Sequence, residues 1–570
     1  MFPDYKRYGV MWMARKPLAS AYDMSGAFNN VSLTLTQGAN EQDVIDRLDD
    51  ILKDYGGIGA YARKDQLSNR FLSEELKQQK TIATIFPIIF FGVAAFLLNV
   101  VVSRLISLQR EQIAGLKAFG YSDFDVGLHY TKLVLMIVSL GIVIGIVAGI
   151  KMGQGMSNIY MTLYSLPFMT YVLKPQVIVT AALISMSVAV LGTLYAVRST
   201  ARLPPAQAMR PEPPAIYHST LGISMACGTM MTGGFQEGAI NHMVEVQFGM
   251  SRTGDLTVIY TEPTSARSLY SLQSLQGVEH AEAFRYVPVN LRFEHRSYRT
   301  AVSGIPPRGE LMRLLDANLT IIDVPEHGVI LTDYLAELLQ IRPGDMLTLE
   351  VLEGQRPTVQ VPVVGTAKEY LGVSAYMQRS SLNRLLKEGE AITGAWLSVD
   401  DRYQKEVYAE LKGMPRIAGV VEQKSAIRAF YDTIAESVLF FTFISTLLGG
   451  SIAFGVIYNS MRIALSERNR ELASLRVLGF QRGEVAYILL GELALLTLVA
   501  IPLGLLLGYG LCAFMAFQFD TDLYRIPLVL GINVYAFAAL VVIASSIISA
   551  IMIWRNLAHL DMVAVLKTKE

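Results

Sequence analysis

Two short stretches of this sequence set apolar residues three apart with charges between them. The first is Ile113, Leu116 and Phe119 with Arg110, Glu111 and Lys117; the second is Leu472, Leu475 and Leu478 with Arg470, Glu471 and Arg476. On a helix this spacing gathers the apolar side chains on one face and the charges on another. The product is a short amphipathic helix that rests on lipid headgroups or docks on a partner protein. Gly120 and Gly479 follow where a helix C-cap takes left-handed backbone, which glycine adopts at little cost. The chemistry open to such residues is docking rather than bond-making. The sequence carries no GxxxxGK[ST] phosphate loop, no HExxH zinc motif and no GxSxG nucleophile turn, so it does not read as an enzyme. Cys227 and Cys512 both sit in apolar stretches, and the seven histidines, His295 and His327 among them, lack ligand spacing. Neither a disulfide framework nor a metal site is read from them.

The two stretches belong to a larger repeat. Ile113 to Tyr121 returns as Leu472 to Phe480, 359 residues on, and the same offset carries Gly145 and Gly149 onto Gly504 and Gly508. An offset that holds through a polar loop and into the next apolar segment indicates duplication, and two like halves in a membrane build a pseudo-symmetric object. Hydrophobic residues are 52%, charged residues 17% and the mean hydropathy is +0.37, the composition of an integral membrane protein. Six stretches are long enough to cross the hydrocarbon core: 82–106, 128–152, 175–197, 436–461, 485–517 and 530–554. A seventh, 221–235, is apolar but short and glycine-rich. Zero net charge argues against a nucleic-acid partner.

Lysine and arginine in short loops set the orientation. Arg104, Arg110 and Lys117 lie in one loop, Arg462, Arg468, Arg470, Arg476 and Arg482 in its repeat, and Arg198, Arg202 and Arg210 after the third span; these are expected in the cytoplasm. The loops 153–174 and 518–529 hold only Lys174 and Arg525 and are expected outside, together with residues 1–81 and 236–435. Within the membrane, both GxxxG pairs permit close helix approach. Lys132 and Glu492, near cytoplasmic span ends, read first as residues that snorkel to the interface. Pro502 predicts a kink.

The long outside stretch reads as strands and helices in alternation. Strands are predicted at 255–260, 287–293 and 346–351, with a helix at 332–339. A strand-helix-strand unit at 395–399, 403–412 and 417–422 precedes the membrane. A similar unit, 30–35, 41–55 and 58–62, precedes the first span. After each unit a segment, 66–81 or 424–437, is expected to run as one continuous helix into the membrane and so to couple domain motion to the bilayer.

The run Arg470 to Phe480, its partner Glu111 to Tyr121, and the order of spans around an outside domain resemble the FtsX-like ABC permeases of the MacB and LolC/LolE type, in the long form with two FtsX-like domains. The fold class implied is membrane α-helical, polytopic, with duplicated helix units and α+β extracytoplasmic domains of the MacB-periplasmic type. The implied division is 1–81, the remainder of a first outside domain; 82–200, three helices; 201–220, a cytoplasmic linker; 221–235, a short helix; 236–435, the second outside domain; 436–556, three helices; and 557–570, a tail.

The resemblance implies a permease in the bacterial inner membrane whose loops, with Arg110, Glu111, Ile113, Leu116, Lys117, Phe119, Gly120, Arg470, Glu471, Leu472, Leu475, Arg476, Leu478 and Gly479, engage an ATPase dimer. ATP and Mg would be used by that partner and no cofactor bound by this chain; a periplasmic adaptor and membrane lipid are further implied partners. The substrate class stays open among lipid, lipoprotein, peptide and hydrophobic compound. An alternative is a non-transporting signalling or scaffold protein that activates an envelope hydrolase. A secondary transporter is disfavoured because the spans carry little buried charge. The family opens with a transmembrane helix, whereas Met1-Phe2-Pro3-Asp4 reads as already inside the first outside domain with no signal peptide. A displaced gene start or a truncated remnant is the expectation drawn from that. Met209 to Pro214 also runs into Leu221 without the basic amphipathic segment usual before the fifth helix.

Overall fold

The computed structural model describes residues 11–57, 59–109, 112–113, 115–116, 119–163, 168, 170–201, 216–467, 474–475, 478–518 and 524–558. The helices are, in chain order, α1 (Arg15–Ala21), α2 (Glu41–Leu52), α3 (Leu67–Leu108), α4 (Asp123–Leu163), α5 (Pro175–Ala201), α6 (Ile216–Val244), α7 (Ser268–Gln273), α8 (Asp333–Leu339), α9 (Arg379–Leu385), α10 (Gln404–Gly413), α11 (Gln423–Glu467), α12 (Arg482–Gln518) and α13 (Ile532–Ala558). The chain forms two compact units. One holds residues 1–78, 240–432 and 520–527; the other holds 79–239, 433–519 and 528–570.

The first unit is built on a nine-stranded sheet with the order β11-β1-β10-β2-β3-β9-β6-β8-β7. Its strands are β1 (Leu256–Ser265), β2 (Val278–Phe293), β3 (Arg296–Ile305), β6 (Val329–Thr332), β7 (Met346–Val351), β8 (Thr358–Ala367), β9 (Ala375–Gln378), β10 (Ala391–Val399) and β11 (Ile417–Glu422). A separate two-stranded piece pairs β4 (Leu314–Leu315) with β5 (Ile321–Ile322).

The 16-residue β2 serves two layers. Its first half pairs with β10, so that β1-α7-β2 and β10-α10-β11 interleave as a split βαβ unit over a core of Leu256, Leu272, Ala395, Leu397 and Leu411. Its second half pairs with both β3 and β7, which closes β2, β3, β9, β6, β8 and β7 into a ring around Val287, Val289, Leu291, Val329, Leu347 and Val363. Closure leaves no unpaired edge in that part of the sheet.

Arg285 lies fully buried on β2. Its guanidinium donates to the Glu388 carboxylate at 3.0 and 3.2 Å, to the Tyr286 carbonyl at 2.9 Å and to Glu353. Burial pushes the Glu353 carboxyl above its ordinary range, against the pull of Arg285.

The expected strands at 287–293, 346–351, 395–399 and 417–422 lie within or coincide with observed strands, that at 255–260 begins one residue before β1, and the helices expected at 332–339 and 403–412 are α8 and α10 within a residue at each end. The unit ahead of the first span forms differently. Among the described residues its helix forms, as α2 with a 3₁₀ turn at Lys53–Tyr55, while residues 30–36 and 59–62 pair with no strand. Side chains satisfy the backbone there instead. Arg299 donates to the carbonyls of Ala60 (2.7 Å) and Gly59 (3.3 Å), Arg356 to those of Asp49 (3.3 Å) and Gly57, and Ala60 N–H donates to Asp49 Oδ1 at 2.5 Å. A strand forms only against a partner ladder, and here arginines from the ring take that place.

The second unit is helical. Among the described residues six helices are long and apolar enough to cross a membrane, with spans at Ser68–Ser103, Phe124–Thr162, Pro175–Leu194, Phe441–Arg462, Leu490–Gln518 and Ile532–Arg555, one for each expected stretch. The segments 66–81 and 424–437 do continue into the spans: α3 has 42 residues and α11 has 45, about 63 and 68 Å at 1.5 Å per residue, twice the hydrocarbon thickness. Pro87 sits inside α3 and Pro502 inside α12, and both helices continue through them.

The segment 221–235 is the middle of the 29-residue α6. Ile223, Ala226, Cys227, Met231, Phe235 and Ala239 have no exposed surface, so α6 is wrapped by protein rather than lipid. Its low apolarity follows, since a helix screened by its neighbours has no need of an apolar exterior.

Candidate functional site

The repeated loops take the same backbone shape in both halves. Gln112, Ile113, Gly115 and Leu116 are helical, as are Ser474 and Leu475. Phe119 N–H donates to the Gly115 carbonyl (3.1 Å) and Tyr121 N–H to that of Leu116 (3.2 Å); 359 residues on, Leu478 N–H donates to Ser474 (3.0 Å) and Phe480 N–H to Leu475 (3.1 Å). The longer bond of each pair spans the cap expected when the residue after the helix is left-handed. Gly120 and Gly479 hold that place, with φ of +97° and +102°. The next helix is then capped alike in both copies, Ser122 N–H donating to Asp125 Oδ2 (3.1 Å) and Gln481 N–H to Glu484 Oε2 (2.7 Å).

The apolar residues of the loop split into two roles. Ile113 is buried among Val102, Ile106, Val126, Tyr130, Val134 and Ala189, which anchors the loop to its own bundle. Leu475 is half-buried in the second copy. Phe119 and Leu478 instead lie past the last helical turn, 87% and 76% exposed, and Leu116 is also exposed. Of the three apolar positions that sequence spacing put on one face, the first copy buries Ile113 and leaves Leu116 and Phe119 exposed. Arg110, Glu111, Lys117, Arg470, Glu471, Leu472 and Arg476 lie outside the described residues.

The glycine pairs, alike in sequence, differ in surroundings. A Cβ placed on Gly504 would sit 2.6 Å from Cys227 Cβ and 2.8 Å from the Ser224 carbonyl oxygen. One on Gly508 would lie 3.1 Å from Gly228 Cα. Ser224 Oγ bridges the same contact by donating to the Ala500 carbonyl at 2.9 Å. Gly145 and Gly149 have no described atom within 4 Å of such a Cβ.

Arg525 is the residue that sequence reasoning passed over. Noted only as the single basic residue of an outside loop, it is buried within the first unit. Its guanidinium donates to the Glu369 carbonyl (3.0 and 2.5 Å) and the Gly372 carbonyl (2.6 Å) and lies 4.9 Å over the Tyr334 ring. Its backbone N–H bonds Tyr370 O at 3.0 Å beside a Leu371–Tyr524 bridge.

Directly beneath, the buried Glu369 carboxylate accepts from Arg252 (2.9 Å), Gln247 (3.1 Å) and Tyr376 Oη (2.7 Å). Burial and then the Glu369 charge push the Tyr376 hydroxyl well above its ordinary range. Burial is the largest influence on Arg252 and works against its charged form, but Glu369, Tyr376 and Tyr286 together outweigh it and the net shift is upward. No local sequence signal marks Arg525, because its acceptors are backbone carbonyls of residues more than 150 positions away. Among the described residues no group of His, Cys, Asp or Glu is arranged to hold a metal.

Residues 84–205 and 439–562 each match the family model described as FtsX-like permease C-terminal. No curated protein matches the chain. Among solved structures, the periplasmic region of MacB from Actinobacillus actinomycetemcomitans is 13% identical, covering 32% of this chain and 94% of that one with a TM-score of 0.23. The extracellular domain of the noncanonic ABC-type transporter YknZ from Gram-positive bacteria is 13% identical, covering 29% and 99% with a TM-score of 0.22. At those scores neither likeness bears on the fold. The family matches fall on the two helix triplets that carry the repeated loop, and the chain thus carries two domains similar to the FtsX-like permease C-terminal domain.

Proposed function

We propose that this protein is the transmembrane subunit of an ABC transporter in a bacterial cell membrane, driven by a separate ATPase dimer that seats on the loops 107–122 and 466–482. ATP-dependent motion at those loops passes along α3 and α11 toward the outside domains. Those domains act on a lipid, lipoprotein, peptide or hydrophobic compound for export or extraction.

The observation that carries the reading is the repeated loop. The same cap is built twice, and each copy presents a large, exposed apolar side chain just before its glycine, Phe119 or Leu478. Exposed aromatic and aliphatic side chains on a rigid turn are the form that interface anchors take. The length of α3 and α11 supports the second step, since a continuous helix transmits a push applied at one end.

The test is site-directed crosslinking in membranes. With Phe119→Cys or Leu478→Cys in a background without Cys227 and Cys512, a short bis-maleimide should join each position to a co-expressed phosphate-loop ATPase from the same gene neighbourhood. Absence of crosslinks at both positions would contradict the reading.

A further inference from the structure

Residues 49–61 lie against the ring of the first unit without joining its ladders, and guanidinium groups hold them there. Arg299 of β3 lays its fork on the Gly59 and Ala60 carbonyls and sits 5.1 Å over the Tyr61 ring. From the turn between β7 and β8, Arg356 donates to the carbonyls of Asp49 and Gly57. All four acceptors are main-chain oxygens. Beside Arg299 on the strand, Tyr298 Oη accepts from Arg70 at 2.5 Å, and Arg70 stands in the first turn of α3.

Two features set this contact apart from ordinary packing. Arg356 has a φ of +49°, a left-handed conformation that a residue with a side chain keeps only where its surroundings fix it. Its N–H donates to the Glu353 carbonyl (3.1 Å) and the Glu353 carboxylate accepts from the buried Arg285, which ties the turn to the ring. The backbone is thus strained at the residue that reaches for the segment. The segment, for its part, has little else to hold it: α2 and the 3₁₀ turn that follows bury no residue. A stretch that removes so little apolar surface from water opens at low cost, independently of the core beside it.

We propose that Arg299 and Arg356 form a clasp that opens as one unit, releasing residues 41–66 and with them the outside end of α3 while the ring stays folded. Because α3 continues from this segment into its span, the clasp decides whether motion of α3 reaches the ring. The Tyr524 hydroxyl donates to Gln78, about two turns beyond Arg70, and the freed part of α3 ends there. The clasp belongs to the outside unit alone and stands whether or not an ATPase uses the loops.

Hydrogen exchange of the full chain in lipid nanodiscs, read by mass spectrometry, tests it. In the parent, peptides within 41–66 should share one level of protection, lower than that of β3, β7 and β8. Arg299→Ala with Arg356→Ala should speed exchange in 41–66 about 30-fold, since charge-assisted hydrogen bonds are lost, and should leave the ring strands and the melting temperature unchanged. Lysine at both positions keeps the charge without the fork, and its effect should fall between parent and alanine. Asp49→Ala removes the acceptor of the Ala60 N–H without touching the ring, and should free the same peptides even where the double variant does not fold. Exchange that rises in β3, β7 and β8 together with 41–66 would make these contacts part of the ring's own fold and overturn the proposal. Unchanged exchange in 41–66 would show that the arginines do not hold the segment and overturn it equally.

Discussion

Replacing Phe119 and Leu478 together by aspartate is expected to abolish binding of the partner ATPase, with each single change lowering affinity about 30-fold. Each side chain is exposed at the tip of a capped turn, so neither contributes to the core of its own bundle. Removing a central anchor from an interface costs ~2 kcal/mol or more, and a carboxylate that must be desolvated adds to that. The tertiary structure should survive, because Gly120 and Gly479 still supply the left-handed cap. Titration of ATPase onto the permease in lipid nanodiscs measures the effect. Equal affinities for parent and double variant would show that the partner sits elsewhere. Loss at only one loop would show that the two halves are unequal in use despite their common shape.

Gly504→Leu should destabilise the purified chain by ~2 kcal/mol or more, while Gly145→Leu should leave it within ~0.5 kcal/mol of the parent. The two glycines occupy the same place in the repeat, and only the first has a helix against it. At Gly504 the added carbon meets the Ser224 carbonyl oxygen at 2.8 Å and Ser224 Cα at 3.1 Å, both backbone atoms that no rotamer change moves. The helix α6 would have to retreat and give up the Ser224 to Ala500 hydrogen bond. At Gly145 the side chain enters open space. Thermal unfolding in detergent, followed by the accessibility of Cys227 to a thiol reagent, reads both effects. Losses of equal size at both glycines would mean that the first-half face is also packed within the chain.

The spans were legible because lipid imposes a length and an apolarity that composition cannot hide. The strands of the second outside domain were legible from their period-two patterns and from turns such as that at Gly344. The left-handed caps were legible because glycine follows the apolar triplet at the same place twice. What escaped has a physical cause in each case.

The helix α6 looked too short because hydropathy measures exposure to lipid, and α6 faces protein on all sides along its middle. The strands expected at 30–35 and 58–62 have suitable side chains, but among the described residues there no neighbouring ladder forms, a condition that no local pattern reports. Gly145 and Gly504 read alike because a GxxxG pattern states what a face permits, whereas the partner that meets it is a matter of tertiary structure. Arg525 escaped because its acceptors are main-chain carbonyls, which every residue carries.

The central claim is that one chain supplies both docking loops to an ATPase dimer, one from each half. Native mass spectrometry of the complex, held in its nucleotide-bound form, tests it most directly. The account predicts one permease chain with two ATPase subunits. A complex of two permease chains with two ATPase subunits would contradict it, since each chain would then be using only one of its two loops.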